Sequence, residues 1–454
     1  MPGSRDHLII GGGLTGLAAA SRLGDRATIL ERADRPGGLV RSVRLGQHWF
    51  DLVIHLLYFR DLETETSVRS LLGDVLLECP PAAWVETDGG VCRFPIQMHL
   101  RGLRPEYRIR CLEEMARAAS DATIVEGASI ERLFKEAFGD TLCELFMLPY
   151  NRKMWRRPLE SIDATGLSWN VERPEFREVL RGAIDDLHRG DAYNSRGFYP
   201  RPAAGSEVRG MEVLSRALAT HCTDLRIRCT VTGIDADSRT VHYLDRSAGP
   251  SESRSLQFQG RLLSTIPLPL TAMLCRQTPE RLRDRLGSLR RNRVVSVFVA
   301  VEGERPPDDF GHWRYYADET LCFTRLVFMH AFDPEMAPAS GWGLLVEIPE
   351  RAEEPLASSA EYCGRAVADA RRVGVLRSGD RVVECGHEVV DPAYVVLGPG
   401  DRALVEDAIG VLADLGIDCR GRYGAWKYCG MSHCLREGFE WGDSMAAAGR
   451  DGGT

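Results

Sequence analysis

The sequence predicts an α/β fold in which a Rossmann-like domain is interleaved with a helical subdomain and a mainly antiparallel β-sheet domain. Three observations lead there. A strand, a glycine-rich turn, a helix, a second strand and an acidic residue follow one another within His7–Glu31. Residues 100–190 carry apolar residues at helical spacing, and residues 291–400 carry apolar, alternating runs of strand type.

The first unit is read residue by residue. Leu8-Ile9-Ile10 is a short apolar run of the kind buried in parallel sheets. Gly11-Gly12-Gly13-Leu14-Thr15-Gly16 follows, then the small-residue helix Leu17–Leu23, then the strand Ala27–Leu30 ending on Glu31. This is G-x-G-x-x-G with an acid 20 positions after Gly11. Gly11 suits the tight turn, Gly13 admits a pyrophosphate to the backbone, and Gly16 lets the helix approach the strand. The N–H groups and positive dipole end at Leu14 and Thr15 favour phosphate, and Glu31 can accept hydrogen bonds from a ribose.

The rest of the chain divides at 1–99 (nucleotide-binding part), 100–190 (helical), 191–290 (nucleotide-binding part with strand return), 291–400 (sheet) and 401–454 (a completing C-terminal segment). Helices are expected at Cys111–Ala119, Ile130–Phe138, Phe176–His188 and Gly210–Ala219, with strands in Leu225–Ile234 and Arg261–Pro267. Val294–Val301, Trp313–Phe328 and Gly343–Ile348 form the second sheet, with loops at Arg305–Asp309 and Asp333–Ser340.

At 454 residues, 44% hydrophobic and 27% charged, the chain has an ordinary globular composition. Its net charge of −8 argues against a nucleic-acid partner. The 13 cysteines show no CxxC pattern, which suits free thiols in a reducing, cytoplasmic setting. Cys429, His433 and Cys434 are close in sequence but make no complete metal set, so no metal is expected. No apolar run reaches the roughly 18–20 residues of a membrane span, and the polar start Met1–His7 does not read as a signal peptide.

Glu31-Arg32-Ala33-Asp34-Arg35-Pro36-Gly37-Gly38-Leu39 resembles the stretch after the second strand in FAD-dependent amine oxidases, phytoene desaturases and sugar mutases. That resemblance implies FAD, with Arg32, Gly38 and Leu39 against the cofactor. A distant C-terminal segment completes the site in that group. Gly421–Gly424 and Gly438–Ser444 are the candidates, the latter offering Gly442, Asp443 and Ser444 ahead of a helix at Met445–Gly449.

Four ordered segments narrow the resemblance to the UDP-galactopyranose mutases, nearer the eukaryotic type. Asp51–Phe59 resembles the family's flavin-side histidine loop. Phe94-Pro95-Ile96-Gln97 resembles its uridine-site element. Leu148–Trp155 resembles Arg-Pro-Tyr-Asn-x-Lys-x-Trp, and Gly421–Tyr428 (GRYGAWKY) its C-terminal motif. The resemblance implies a reduced flavin, charged by NAD(P)H or another reductant, whose N5 attacks the anomeric carbon of a nucleotide sugar, with a UDP-sugar favoured. The diphosphate leaves, the sugar recloses on another hydroxyl, and there is no net redox change. It also assigns roles. Arg325 and Arg173 are arginines on the diphosphate, Tyr394 and Tyr428 its phenols, Asn194 a loop asparagine, and His55 the histidine that places the flavin. Arg422 lies at the flavin, while Phe94, Gln97, Trp155 and Tyr58 line the substrate site. Plainer readings exist: Arg325 as an ion-pair partner, the tyrosines as packing aromatics, His55 as a core histidine, Asn194 as a turn residue. Val53-Ile54 replaces the family's two glycines, and the segment after Tyr428 is shortened. An amine-oxidase-like oxidoreductase and a non-catalytic flavin-binding scaffold are the alternatives; a homo-oligomer is compatible with either.

Overall fold

The computed structural model describes residues 6–118, 128–164, 174–185 and 196–451. Its five-stranded sheet is wholly parallel, in the order Ile417–Cys419, Leu262–Ser264, His7–Ile10, Ala27–Leu30 and Asp224–Arg226. His7–Ile10 is central, buried along its length, with the apolar run Leu8–Ile10 following His7. Segments far apart in sequence therefore build one sheet. The expected strand return is the pairing of Leu262–Ser264 with Leu8–Ile10.

The helix Leu14–Leu23 follows the glycine turn and packs along the C-terminal helix Met431–Asp451. Small residues make that approach possible. A Cβ on Gly438 would lie 2.4 Å from the Thr15 carbonyl oxygen, and one on Gly442 2.6 Å from that of Ala19. This corrects the expected C-terminal layout. Gly442, Asp443 and Ser444 do not precede a helix; they lie inside one that begins at Met431. Its N-terminus, not residue 445, faces the cavity described below.

The second sheet has seven strands: Arg381–Val396, Arg290–Glu302, Gly341–Arg351, Arg325–Phe328, Trp313–Tyr316, Ala83–Thr87 and Gly90–Arg93. All neighbours are antiparallel except Trp313–Tyr316 with Ala83–Thr87. Residues 83–93 thus join this sheet rather than the nucleotide-binding part, because their backbone groups pair with its edge. Arg290–Glu302 shows how the sheet is held. Val295, Val297, Val299 and Val301 face the helix Ser359–Arg372, while Val294, Phe298 and Ala300 face the main core. Period-two alternation with both faces covered makes Val294–Val301 apolar apart from Ser296. Each fully buried valine or phenylalanine contributes about 1.5–3 kcal/mol.

In the helical part, Ile130, Leu133, Phe134, Ala137, Phe138 and Thr141 form the buried stripe of Ile130–Leu142, at i, i+3/i+4 spacing. The first helix starts at Pro105, earlier than expected, since proline is favoured in a first turn. A π-helical turn, Cys143–Met147, leads into Leu148–Trp155 and brings both to the cavity wall.

Candidate functional site

One continuous cavity of about 940 Å³ runs from the glycine turn to the second sheet. At its first end the backbone sets the geometry. Gly11 has φ +103°, a conformation that favours glycine. Gly16 packs so closely that a Cβ would sit 2.0 Å from the Gly11 carbonyl oxygen, so it supports the turn without lining the cavity. Gly13 differs: it lines the cavity, and a Cβ there would meet nothing within 4 Å. That open space, beside the uncapped first turn at Leu14 and Thr15, suits a pyrophosphate. The Glu31 carboxylate lies on the same wall, accepting the N–H groups of Gly12 and Ala33, both at 2.7 Å. Arg32, Gly38 and Leu39 complete this end. The residues therefore fit a dinucleotide.

At the other end a cation and phenols converge. Arg325 and Glu347 stand opposite each other on adjacent strands, and their side chains form a buried ion pair. The Arg325 Nε donates to Glu347 Oε2 at 2.7 Å, while Glu347 Oε1 accepts the Ile54 N–H at 2.9 Å. Glu347 thus holds both the arginine and the loop that carries His55. Sequence reasoning missed Glu347. Its signal was a lone charge in the apolar run Leu344–Ile348.

His55 is half-buried, and its Nδ1 is shielded from solvent with no hydrogen-bond partner among the described residues. Burial, with Arg422 and Arg325 nearby, lowers its pKa to about 3, so the imidazole is neutral. Val53 and Ile54 line the cavity without left-handed backbone, so β-branched residues sit there unstrained.

Arg422 donates to the Cys429 and Ala393 carbonyls at 2.7 and 2.8 Å. Its guanidinium lies 4.7 Å from the Tyr428 ring and 5.7 Å from that of Tyr394. These two tyrosines stand 5.8 Å apart. Burial raises both phenols above their ordinary pKa, which keeps them hydrogen-bond donors. Trp155 is absent from the cavity wall. It packs edge-on behind Tyr394 and Tyr428, and its indole N–H donates to Asn151 Oδ1 at 3.1 Å. Lys153 from the same motif is also structural, donating to the carbonyls of Tyr316 and Asp318.

The structure brings His55, Tyr58, Phe94, Gln97, Arg325, Tyr394, Arg422 and Tyr428 to one cavity with the glycine turn. Tyr150 and Met154 from the Leu148–Trp155 motif, and Tyr315 from the second sheet, join them. Gly442, Asp443 and Ser444 lie away from it, where helix packing uses the glycine. Arg173 and Asn194 lie outside the described residues. Among the described residues, no helix is long and apolar enough to cross a membrane.

Comparison with known proteins follows the same division. The family described as NAD(P)-binding Rossmann-like domain matches residues 9–74. A phytoene desaturase (neurosporene-forming) from Rhodobacter capsulatus is 52% identical over 48 residues, 10% of this chain and 9% of that protein. Across the whole fold, a reduced UDP-galactopyranose mutase superposes with a TM-score of 0.86 at 23% identity, covering 98% of this chain and 96% of that one. A putative protoporphyrinogen oxidase from Exiguobacterium superposes at 0.71, with 16% identity over 98% and 99% of the chains. Cyclohexylamine oxidase from Brevibacterium oxydans gives 0.67, with 14% identity over 99% and 100%. The chain therefore has a UDP-galactopyranose mutase-like fold built on a Rossmann-like dinucleotide-binding domain.

Proposed function

We propose that this chain is an FAD-dependent pyranose/furanose mutase acting on a nucleoside-diphosphate sugar, with a UDP-sugar favoured. The observation that carries the reading is the grouping of Arg325, Tyr394, Tyr428 and Arg422 on the wall of the same cavity as the dinucleotide turn. Gly13, Leu14 and Thr15 would hold the FAD pyrophosphate and Glu31 its adenosine ribose, with Gly38, Leu39 and Arg422 also contributing. When bound in its reduced form, with NAD(P)H or another reductant as electron source, the flavin supplies a nucleophile for the anomeric carbon.

The protein's own part is to bind and orient. Arg325 neutralises the diphosphate as it departs and keeps it close for return, while the Tyr394 and Tyr428 hydroxyls donate to its oxygens. Their protonated state at neutral pH suits that task. Glu347 fixes the guanidinium and ties it to the His55 loop, so leaving-group and flavin-side elements share one support. The neutral His55 offers its unpartnered nitrogen to a hydrogen bond rather than a charge. Phe94 and Gln97 offer an aromatic face and an amide to the nucleoside. Arg173 and Asn194 keep the roles implied by resemblance.

A second reading, oxidation of an amine, draws on the fold shared with cyclohexylamine oxidase. Two arginines and two phenols suit an anionic leaving group better than an ammonium substrate. The deciding experiment is anaerobic. The protein is reduced with dithionite and offered UDP-, TDP- and GDP-sugars, and an isomerised sugar is expected only after reduction. Turnover confined to the oxidised protein, with peroxide release, would sink the mutase reading.

A further inference from the structure

Cys429 and Cys434 are not needed by the function above, yet both lie on the cavity wall. Cys429 sits just before the helix Met431–Asp451 and Cys434 in its first turn. Their sulfurs are 3.8 Å apart. The two thiols are in contact, with either able to donate to the other, and the Arg422 N–H and Thr15 hydroxyl lie on the Cys434 side of the pair. That arrangement lowers the Cys434 pKa, chiefly through the Cys429 hydrogen bond, and the same bond raises that of Cys429. By contrast, burial raises the thiols of Cys92, Cys111, Cys143 and Cys419. A stabilised thiolate in an accessible cavity, with a second thiol in contact, is the arrangement of an attacking and a resolving cysteine.

We propose that Cys429 and Cys434 are a redox-active dithiol that closes to an intramolecular disulfide when hydrogen peroxide enters the cavity. The Cys434 thiolate attacks one peroxide oxygen; the O–O bond breaks, and hydroxide leaves and takes up a proton. The resulting sulfenic acid is attacked by the Cys429 sulfur. The S–S bond forms, the S–O bond breaks, and water leaves with the Cys429 proton. In all, two thiols give up two electrons and two protons, and hydrogen peroxide becomes two waters. An external dithiol restores the pair by exchange. Closing from 3.8 Å to a bond of ~2.05 Å moves both sulfurs and the backbone that carries Cys429. Because the Cys429 carbonyl anchors the Arg422 guanidinium, closure also disturbs the support of Tyr394 and Tyr428. The source of peroxide rests on the mutase reading, since a reduced flavin meeting dioxygen generates it. The dithiol chemistry itself does not.

The test adds peroxide from outside, so it stands apart from sugar turnover. The full-length protein, reduced and freed of reductant, receives one equivalent of hydrogen peroxide; it is then alkylated and mapped by peptide mass spectrometry. A Cys429–Cys434 cross-link is expected, lighter by two hydrogens and reversed by dithiothreitol. It should form at least about tenfold faster than any modification of Cys363 on the helix Ser359–Arg372 or of its neighbour Cys385 on the strand Arg381–Val396, both half-buried free thiols. In folded Cys429→Ser, dimedone should trap a sulfenic acid at Cys434. A Cys363–Cys385 link forming first, or Cys434 going to the sulfinic acid with no cross-link, would overturn the proposal. An unreactive Cys434 in folded Cys429→Ser would do the same.

Discussion

Replacing Glu347 by alanine removes one carboxylate from two partners at once. Arg325 loses its counter-charge, and the Ile54 N–H loses its acceptor. The two side chains of the ion pair are 14% and 3% exposed, so little solvent screens them. Breaking a buried pair on one side costs about 3–5 kcal/mol, and an orphaned buried N–H costs about 1–3 kcal/mol. Arg325 lies on the cavity wall, where water can reach a freed guanidinium, so the sum falls at its lower end, about 4 kcal/mol. Glu347→Gln keeps the shape and one acceptor oxygen, and should lose about 2 kcal/mol. The double variant Arg325→Met/Glu347→Leu should recover most of the loss, because a well-packed apolar pair often matches a buried ion pair. Urea unfolding, followed by tryptophan fluorescence at constant m-value, measures these proteins together with the singles Arg325→Met and Glu347→Leu. Glu347→Ala within about 1 kcal/mol of wild type, or a double variant whose cost is the sum of the singles, would refute the argument.

The glycine turn separates fold from ligand. Gly13→Ala should unfold within about 0.5 kcal/mol of wild type, yet bind FAD at least about tenfold more weakly, as read by flavin absorbance after gel filtration. Gly16→Ala, with its Cβ against the Gly11 carbonyl, should lose about 3 kcal/mol of stability. His55 carries a pH signature: its folded pKa of about 3 lies below the ordinary 6.5, so its contribution to stability is present above pH 6.5 and is lost as pH falls toward 3. His55→Gln should flatten that part of the acid-unfolding curve, and an unchanged slope would show that this imidazole is not responsible. Arg422→Lys cannot hold two carbonyls in a planar fork while lying against two rings. It should weaken UDP binding about tenfold by calorimetry, and wild-type affinity would remove Arg422 from the clamp's support.

Local spacing along the chain was enough to read the glycine turn, Glu31, the amphipathic stripe of Ile130–Leu142 and the apolar strand within Arg290–Glu302. Each depends on backbone periodicity or on residues a few positions apart, which the order of residues encodes directly. Many cavity-lining residues were legible as well, because they sit in short ordered motifs such as GRYGAWKY. Tertiary structure decided the remainder. The pairing of Arg325 with Glu347 depends on strand register across the sheet, which no local pattern specifies. Gly442 carries the same composition signal whether it meets a phosphate or a neighbouring helix; only the packing of Met431–Asp451 against Leu14–Leu23 tells the two apart. Trp155 shares a motif with cavity residues, yet turns behind the tyrosines because its helix presents only one face to the cavity. Cys429 and Cys434 are close in sequence but read only as free thiols until the helix start brings their sulfurs to 3.8 Å beside Thr15, a residue more than four hundred positions away. The sequence thus determined the elements and their faces, and the crossings of distant segments determined which side chains meet.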